Sequence, residues 1–365
     1  MSELRCYGCG AIIQSDDPKK PGYLPKKALE NRSEDEILCQ RCFKLQHYHT
    51  KMEARLTRDD FLRIISKIGE EDCLVVYLVD LFDFEGSRIP GLMRHIGYND
   101  VFVLANKRDL LPSSLKDHRI MMWVRRQLKQ DGIKPVDVVV TSGKKSYNFD
   151  EIFEKIEEYR KGRDVYVVGM TNVGKSTFIN SLLKHYTDID SGITTSEFPG
   201  TTLDLIKIPF DEHSSLYDTP GIINEHQMTS RVDEKDLKII MPQGEVRPVT
   251  FQLNDQQAIY MDGLARMDYV KGNKGSFICY FSKRLKLHRT KLENADGLYN
   301  RHKTFTLSCD DIQDIKDMKT YSFTFDGTKK DLVISGLGFI SVKAKGQVIV
   351  HVPEGIDVVL REPLV

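Results

Sequence analysis

The chain has 365 residues, and its 53 basic and 53 acidic side chains cancel, so the whole-chain charge implies no electrostatic partner. An apolar share of 40% is enough for ordinary cores, and no run approaches the roughly 20 apolar residues of a membrane-spanning helix. The start, Met1 to Cys6, lacks the apolar segment of a secretory signal. We therefore expect a cytoplasmic protein of two or three domains with no membrane partner.

Four of the seven cysteines form two Cys-x-x-Cys pairs near the start of the chain. Cys6 and Cys9 are the first pair, and Cys39 and Cys42 are the second. Zinc is bound by four thiolates in a tetrahedron, and each pair supplies two of them. The pattern predicts a structural zinc module over residues 1–55, because four thiolates leave the metal no open position for catalysis.

The remaining cysteines and two nearby histidines carry weaker signals. His47 and His49 are alternative zinc ligands, although four cysteines suffice, and we expect them to be exposed polar side chains. Cys73, Cys279 and Cys309 stand alone, so we expect buried, small apolar side chains.

Short apolar runs alternate with helical patterns in the middle of the chain. Strands are predicted at Leu74–Val79, Val101–Ala105, Val136–Val140, Asp164–Val168, Leu203–Pro209 and Ser214–Tyr217. Helical spacing covers Glu151–Tyr159, and a further helix begins at Lys175. This alternation predicts an α/β domain over residues 56–225, with a mostly parallel sheet and helices on both faces.

The predicted strand Asp164–Val168 leads into Gly-x4-Gly-Lys-Ser, the phosphate-binding loop of P-loop nucleotide hydrolases. Its glycines let backbone N–H groups point at phosphate oxygens, and the following helix adds its positive end. The residues predicted to bind the nucleotide are Gly169, Asn172, Val173, Gly174, Lys175, Ser176 and Thr177. Lys175 would reach the β and γ phosphates, and the Ser176 hydroxyl would bind magnesium.

A guanine-binding tetrad, Asn106-Lys107-Arg108-Asp109, follows another predicted strand. The Asp109 carboxylate can accept hydrogen bonds from the ring N–H and the amine of guanine, a donor pair that adenine lacks. We expect Lys107 to cover the base and Asn106 to tie neighbouring loops together. Ser142, Gly143 and Lys144 stand where other GTPases have Ser-Ala-Lys, and a backbone N–H there can meet the guanine carbonyl oxygen.

Two further motifs predict the switch regions. Asp218 would hold magnesium through water, and the Gly221 N–H would sense the γ-phosphate. Thr202 is the predicted magnesium-binding threonine of the first switch, with Thr201 as the alternative. The predicted catalytic set is Lys175, Thr202, Asp218, Gly221 and Asn172.

The glutamine that orients water in Ras-type enzymes is replaced by Ile222, so we expect a low intrinsic rate of hydrolysis. A potassium ion held by Asn172 would offset transition-state charge, in place of the arginine finger of other GTPases. The alternative is that Asn172 only shapes the loop.

The guanine tetrad precedes the phosphate loop, which reverses the usual order of GTPase motifs. A sheet can still form, since a circular permutation only moves the chain ends. Its consequence is that the chain leaves this domain directly after Asp218–Gly221, so nucleotide state could act on whatever follows.

Residues 226–365 are predicted to form a β-rich α+β domain that binds RNA or another partner. Strands are predicted at Ser276–Phe281, Tyr321–Phe325, Asp331–Ser335, Gly346–His351 and Ile356–Arg361, with a helix near Asp310–Met318. The segment from Arg266 to Lys303 contains ten basic and three acidic residues. The interleaved aromatic residues are Tyr269, Phe277, Tyr280, Phe281 and Tyr299. This pattern is typical of RNA contact, although the aromatics could equally be core and the lysines ordinary surface.

Together these motifs resemble the circularly permuted GTPases of the YqeH family over essentially the full length. The matching motifs are Cys6-x-Gly8-Cys9, Cys39-x-Arg41-Cys42-Phe43, Asp80-x-x-Asp83-Phe84-x-Gly86-Ser87, Asn106-Lys107-x-Asp109, Gly169-x-x-Asn172-x-Gly174-Lys175-Ser176, Pro199-Gly200-Thr201-Thr202 and Asp218-Thr219-Pro220-Gly221. The resemblance implies a GTPase that uses GTP/GDP, magnesium and zinc and assists assembly of the small ribosomal subunit, with its rRNA and ribosomal proteins as partners. It also implies a C-terminal domain like that of an RNA-binding attenuation protein. The alternative function is a non-catalytic RNA-binding regulator that senses GTP and GDP.

Overall fold

The computed structural model describes residues 58–185, 194–197, 204–209, 211–299, 305–309, 312 and 314–365, together with separate stretches within 4–40. The chain divides into two compact units. The first unit comprises Met1–Leu81, Ser87–Arg108 and Asp117–Ile223. The second comprises Phe82–Gly86, Asp109–Lys116 and Asn224–Val365, so it gathers two short segments from the middle of the chain.

A seven-stranded sheet organises the described part of the first unit. Its strands are β1 (Cys73–Asp80), β2 (Asp100–Asn106), β3 (Asp137–Val140), β4 (Asp164–Val168), β5 (Thr194–Glu197), β6 (Asp204–Pro209) and β7 (Ser215–Asp218). They lie in the order β3-β2-β1-β4-β7-β6-β5. The helices along this part of the chain are α1 (Arg58–Ile68), α2 (Phe84–Ser87), α3 (Leu92–Ile96), α4 (Asp117–Gln130), α5 (Phe149–Arg160) and α6 (Lys175–His185). The sheet is mixed, because five strands run in parallel and β5 and β6 are antiparallel to their neighbours.

The turn between β6 and β7 explains the change of direction. The Asp211 carboxylate accepts hydrogen bonds from the N–H groups of His213 and Ser214, at 2.8 and 2.7 Å. A turn this short can join only antiparallel strands, whereas a parallel pair needs a long crossover. The strand predicted at Leu203–Pro209 is therefore present, with antiparallel direction.

The central strands of this sheet are the most buried part of the first unit. All eight residues of β1 are buried, and six of the seven residues of β2 are buried. Strands covered on both faces read as continuous apolar runs, which is how they were recognisable in the sequence. Each fully buried Val or Leu contributes about 1.5–3 kcal/mol to folding. This rigid centre places the carboxyl ends of β1, β2 and β4 side by side.

The second unit contains two antiparallel five-stranded sheets among its described residues. The strands are β8 (Val249–Leu253), β9 (Gln257–Met261), β10 (Ala265–Gly272), β11 (Gly275–Phe281), β12 (Leu287–Lys291), β13 (Lys319–Asp326), β14 (Lys330–Ile334), β15 (Gly338–Lys343), β16 (Lys345–Val352) and β17 (Val358–Arg361). The sheet orders are β12-β9-β10-β16-β13 and β17-β14-β15-β11-β8. Two helices accompany them, α7 (Glu234–Ile240) and α8 (Leu292–Tyr299). The predicted β-rich character of this region is confirmed.

Helix positions in the second unit differ from the sequence prediction. Where a helix was expected near Asp310–Met318, the described residues form only the 3₁₀ turn Ile315–Asp317. The Asp317 carboxylate accepts the Asp314 N–H and the Asp314 carboxylate accepts the Lys316 N–H, at 2.9 and 3.0 Å, which caps the start of that turn. The helix α8 was not predicted. Within the described part of the chain, no helix is both long and apolar enough to cross a membrane.

Candidate nucleotide-binding site

The loop between β4 and α6 has the curled backbone that phosphate binding requires. Asn172 and Gly174 both have left-handed backbone angles, with φ of 62° and 94°. A Cβ atom on Gly174 would lie 2.6 Å from Nδ2 of Asn106, and one on Gly169 would lie 2.9 Å from the Leu78 carbonyl oxygen. Both positions therefore require glycine, because neighbouring atoms lie too close for a side chain. The helix begins at Lys175, as predicted.

The Asn106 side chain joins three of the predicted motifs. Its Nδ2 donates to the Val173 carbonyl oxygen at 2.8 Å, and its Oδ1 accepts the Gly143 N–H at 2.9 Å. The side chain is buried, with 2% exposure, so both bonds are shielded from water. One amide thus fixes the phosphate loop and the Ser142–Lys144 loop against the end of β2, as the sequence analysis expected of Asn106.

The Ser142–Lys144 loop explains why glycine replaces the usual alanine. A Cβ on Gly143 would lie 3.2 Å from both the backbone nitrogen and the Cα of Phe178 in α6. Ser181, one helical turn further on, donates its hydroxyl to the Gly143 carbonyl oxygen at 2.7 Å. Ser142 is buried and Lys144 is exposed. The loop is consequently packed directly on the helix that follows the phosphate loop.

Lys175 lies beneath the curled loop. It is only 4% exposed, and its ammonium group donates to the carbonyl oxygens of Gly169 and Met170 at 3.0 and 3.2 Å. Ser176 is half-buried and Thr177 is exposed, both in the first turn of α6. These positions leave a lysine ammonium, a hydroxyl and the N-terminal turn of an 11-residue helix together, which fits the phosphates and magnesium of a nucleotide.

The second switch motif contacts the phosphate loop through its backbone. Asp218 is buried at the end of β7. A Cβ on Gly221 would lie 2.8 Å from the Lys175 ammonium nitrogen. The Ile222 carbonyl oxygen accepts the Thr171 N–H at 2.7 Å, a contact that the sequence analysis did not foresee. Ile222, at the position of the missing glutamine, is 8% exposed, whereas the next residue, Ile223, is 48% exposed.

The Lys107 side chain forms an ion pair that the sequence analysis also missed. Its Nζ lies 2.6 Å from Oδ2 of Asp80, the last residue of β1. The signal was available, since parallel pairing of β1 with β2 places Asp80 opposite Asn106, next to Lys107. Asp109 is half-buried in the 3₁₀ turn Arg108–Leu110 and is assigned to the second unit.

Only part of the predicted metal ligands can be placed. Cys9, Cys42, Thr201, Thr202, His47 and His49 lie outside the described residues. Cys6 and Cys39, one from each pair, are both buried, and the Cys39 N–H donates to the Cys6 sulfur at 3.2 Å. The described residues contain no group of three or more His, Cys, Asp or Glu side chains that could hold a metal.

The three lone cysteines are buried, as predicted. Burial raises the pKa of Cys73 and of Cys279 to about 12, which keeps both thiols protonated and unreactive.

The predicted aromatic contacts to RNA need correction. Tyr269, Phe277, Tyr280 and Phe281 are at most 4% exposed and lie in the core of the second unit. They occupy β10 and β11, whose inward side chains fill that core, so they cannot stack on bases. The basic residues Lys283, Arg284 and Lys286 are exposed. The structure therefore favours the alternative of core aromatics for these four residues.

Comparison with known proteins shows the family of the chain. Over 369 residues, the chain is 48% identical to the protein YqeH of Bacillus subtilis, with 100% of both chains covered. This chain belongs to the YqeH family. Residues 274–364 match the profile described as "YqeH-like, C-terminal", and residues 164–262 match the one described as "50S ribosome-binding GTPase".

More distant relatives of this YqeH-family GTPase occur in eukaryotes. It is 28% identical to the Arabidopsis thaliana protein named NO-associated protein 1, over 98% of this chain and 76% of that one. It is 26% identical to the human nitric oxide-associated protein 1, over 84% of this chain and 64% of that one. The solved structure of GNP-bound YlqF from T. maritima is too distant to inform the fold, with a TM-score of 0.30 and 20% identity over 47% of this chain and 69% of that one.

Proposed function

We propose that this GTPase is an assembly factor for the small ribosomal subunit, with a nucleotide state that is coupled through Asp218–Gly221 to an RNA-binding C-terminal region. The observation that carries the GTP-binding part is the Asn106 amide. It holds the phosphate loop and the Ser142–Lys144 loop in one arrangement, with bonds of 2.8 and 2.9 Å. A preorganised site for both phosphate and base is what selective binding of GTP and GDP requires.

The chain's own residues divide the work of binding and hydrolysis. Lys175 would exchange its two loop carbonyls for phosphate oxygens, and Ser176 with Thr202 would hold magnesium. Magnesium supplies positive charge that offsets the charge of the phosphates. Asp218 and Gly221 would respond to the γ-phosphate, while the Asp109 carboxylate selects guanine.

Hydrolysis by the isolated protein should be slow. Ile222 offers no polar side-chain atom, and its backbone carbonyl is engaged by Thr171. We propose that Asn172, exposed and in a left-handed conformation, helps to hold a potassium ion that offsets transition-state charge. Turnover measured in potassium and in sodium at equal ionic strength should differ at least severalfold. Equal rates would leave Asn172 with a role in loop shape alone.

The N-terminal cysteines are proposed to bind structural zinc. Cys6 and Cys39 bring one sulfur from each pair together, and an N–H donated to a sulfur favours its thiolate form. Cys9 and Cys42 would complete the set of four. Metal analysis of the purified protein should find one zinc per chain, and replacement of Cys39 with Ser should abolish it.

The second unit is proposed to contact RNA through its exposed basic turn. Lys283 and Arg284 line a 250 Å³ depression together with Pro242, Gln243, Gly244 and Ser282. Cationic side chains around a shallow depression suit a phosphate backbone, whereas base stacking by the buried aromatics is excluded. The small subunit is proposed from the family resemblance, while the matched profile names the 50S subunit, so an experiment must separate the two.

Sedimentation with ribosomal particles makes that separation. Tagged protein is mixed with immature and mature small and large subunits, in the presence of GDP or a non-hydrolysable GTP analogue. We expect co-sedimentation with immature small subunits that increases with the analogue. Asp109→Asn, which replaces one of the two oxygens that accept the guanine N–H groups with an amide donor, is the control that should lose the nucleotide effect.

The other outcomes of this experiment point elsewhere. Binding only to large subunits would refute the small-subunit assignment. Binding to free RNA that is unaffected when hydrolysis is blocked would favour the alternative, a non-catalytic regulator that senses GTP and GDP.

A further inference from the structure

An ion pair connects the carboxyl ends of two neighbouring strands in the first unit. The Lys107 ammonium nitrogen lies 2.6 Å from Oδ2 of Asp80, with side-chain exposures of 20% and 9%. The backbone of Asp80 is itself held in place, because its N–H donates to the Ser87 hydroxyl oxygen at 3.0 Å. Parallel register places Asp80 directly beside Asn106, so the contact follows from the strand pairing.

The backbone of Lys107 is fixed as firmly as its side chain. Its φ is 65°, a left-handed value that is uncommon for a residue with a Cβ and that costs free energy. Hydrogen bonds on both sides hold the turn, from the Leu81 N–H to the Asn106 carbonyl and from the Arg108 N–H to the Thr141 carbonyl, each 3.0 Å. Strain retained at such a turn indicates that the direction of the Lys107 side chain matters.

We propose that Asp80 is a positioning residue for guanine binding, which acts by holding the Lys107 side chain extended before the base arrives. A free lysine has several rotatable bonds, and ordering it during binding lowers affinity. With its ammonium anchored on Asp80, the four-carbon stem forms a ready apolar surface beside the tetrad. The inference rests on the proposed guanine site and adds to it a residue outside the tetrad, Asp80 at the end of β1.

The competing explanation is that the pair only stabilises the fold. If the pair only stabilised the fold, its loss would lower the melting temperature of the nucleotide-free protein at least as much as it weakened GDP binding. A partly exposed ion pair usually contributes little to stability, so we expect the change in melting temperature to be small. A positioning role predicts that loss of the pair weakens GDP binding more than it lowers the melting temperature. It also predicts that Asp80 matters only while Lys107 carries an ammonium group.

A double-mutant cycle tests this dependence. GDP affinity and the melting temperature without nucleotide are measured for wild type, Asp80→Asn, Lys107→Met and the double variant. We expect each single change to weaken GDP binding by about fivefold to tenfold, since Met keeps the stem but loses the anchor. In the Lys107→Met background, Asp80→Asn should have no further effect. Asp131→Asn, which removes the ion pair with Arg88 in the same unit, is the matched control and should leave GDP affinity unchanged.

Three results would overturn the inference while leaving the proposed guanine site in place. Asp80→Asn could bind GDP as tightly as wild type, or its effect could persist in full beside Lys107→Met. If Asp80→Asn does not fold, Lys107→Met decides alone, and wild-type affinity of that variant refutes the anchoring role. A wild-type protein that fails to bind GDP at all would instead refute the proposed guanine site, and the inference with it.

Discussion

Gly174 meets two constraints at once, and each forbids a side chain. Its φ of 94° is strained for any L-residue, and an added Cβ would lie 2.6 Å from the amide nitrogen of Asn106. Gly162 is a useful contrast, since its φ is 79° but its Cβ direction is open, with no atom within 4 Å. The pair separates the cost of backbone strain from the cost of breaking the Asn106 bridge.

We predict that Gly174→Ala weakens GDP binding more than tenfold, because it displaces Asn106 from Val173 and Gly143. Gly162→Ala should cost about 1 kcal/mol of folding stability from backbone strain and leave binding intact. Calorimetric titration with GDP and chemical unfolding of both variants provide the measurements. Equal losses of affinity in the two variants would contradict the bridging role of Asn106.

Asp137 at the start of β3 links stability to pH. Burial raises its pKa, but the hydrogen bond from Lys155, the Val138 N–H and the charge of Arg125 outweigh that effect, so the pKa lies below its ordinary value of 3.8. The folded state therefore holds the ionised form more strongly than the unfolded state does. This stability is present above pH 3.8 and is lost as the pH falls through the folded-state pKa.

We predict that Asp137→Asn lowers the free energy of unfolding by about 1–2 kcal/mol at pH 7. The difference from wild type should shrink as the pH falls below about 4, where the wild-type carboxylate is itself protonated. Urea unfolding at a series of pH values gives the difference in unfolding free energy at pH 7 and its change with pH. A difference that is independent of pH would show that packing, not charge, is lost.

The candidate site was predictable from sequence to the extent that its residues act through local motifs. Gly174 and Lys175 are recognised by the spacing of the phosphate loop and Asn106 by the spacing of the guanine tetrad, and the structure places the two motifs together. Asp80 was quoted only within a family motif and was not predicted to act in the site, because its contact with Lys107 depends on the register of two strands that are 26 residues apart in sequence. Contacts set by strand pairing are not encoded in the spacing of either segment alone.

The segment that follows the second switch is fastened within the second unit at several points. The Asn224 amide donates to the Gly86 carbonyl oxygen at 3.0 Å, and the Gln227 amide donates to Oδ2 of Asp83 at 2.7 Å. The next residue, Met228, donates its N–H to the Ser335 carbonyl oxygen at 2.8 Å. Any movement of the chain after Ile223 must therefore strain or break these bonds.

We predict that Gln227→Glu destabilises the protein by about 2–4 kcal/mol, because two carboxylates would then face each other at a buried position. Adding Asp83→Asn should recover most of the loss, since an asparagine amide can donate to the new carboxylate. Thermal and chemical unfolding of wild type, the single variant and the double variant supply the comparison. A double variant as unstable as Gln227→Glu alone would place the defect elsewhere.

Regular elements were predictable where the sequence pattern itself is strong. Strand β4 has its predicted bounds, and β1 and β2 extend the predicted runs by one residue at each end. Helix α8 was missed because its short sequence, Leu-Glu-Asn-Ala-Asp-Gly-Leu-Tyr, includes the weak helix formers Asn, Asp and Gly. Tertiary contacts stabilise it instead, since Ala295 is fully buried and its carbonyl oxygen accepts the Tyr260 hydroxyl at 2.9 Å.

For the whole molecule, a chain with zero net charge can bind RNA only through local concentrations of positive charge. We predict that changing Lys283, Arg284 and Lys286 together to Glu weakens RNA binding and reduces the slope of affinity against salt by about three. Binding titrations at several salt concentrations measure both effects. The control changes Lys316, Lys319 and Lys330, elsewhere in the same unit, to Glu. It should affect the RNA affinity and the salt slope less strongly. Unchanged binding in the first variant would move the RNA contact to another surface.

The second unit is assembled from three separated stretches of chain, and this restricts how the protein can be divided. Phe82 and Leu110 share a buried cluster with Val246, Tyr280, Val333 and Phe339. A gene fragment that starts after Ile223 would encode a product lacking both of these side chains, with holes at their places in its interior. The segment Asn224–Val365 therefore does not contain the whole of the second unit. A transfer of this segment to another enzyme, or an exchange between relatives, must therefore include the loops that follow β1 and β2. We also expect substitutions in these loops and in the C-terminal segment to be correlated.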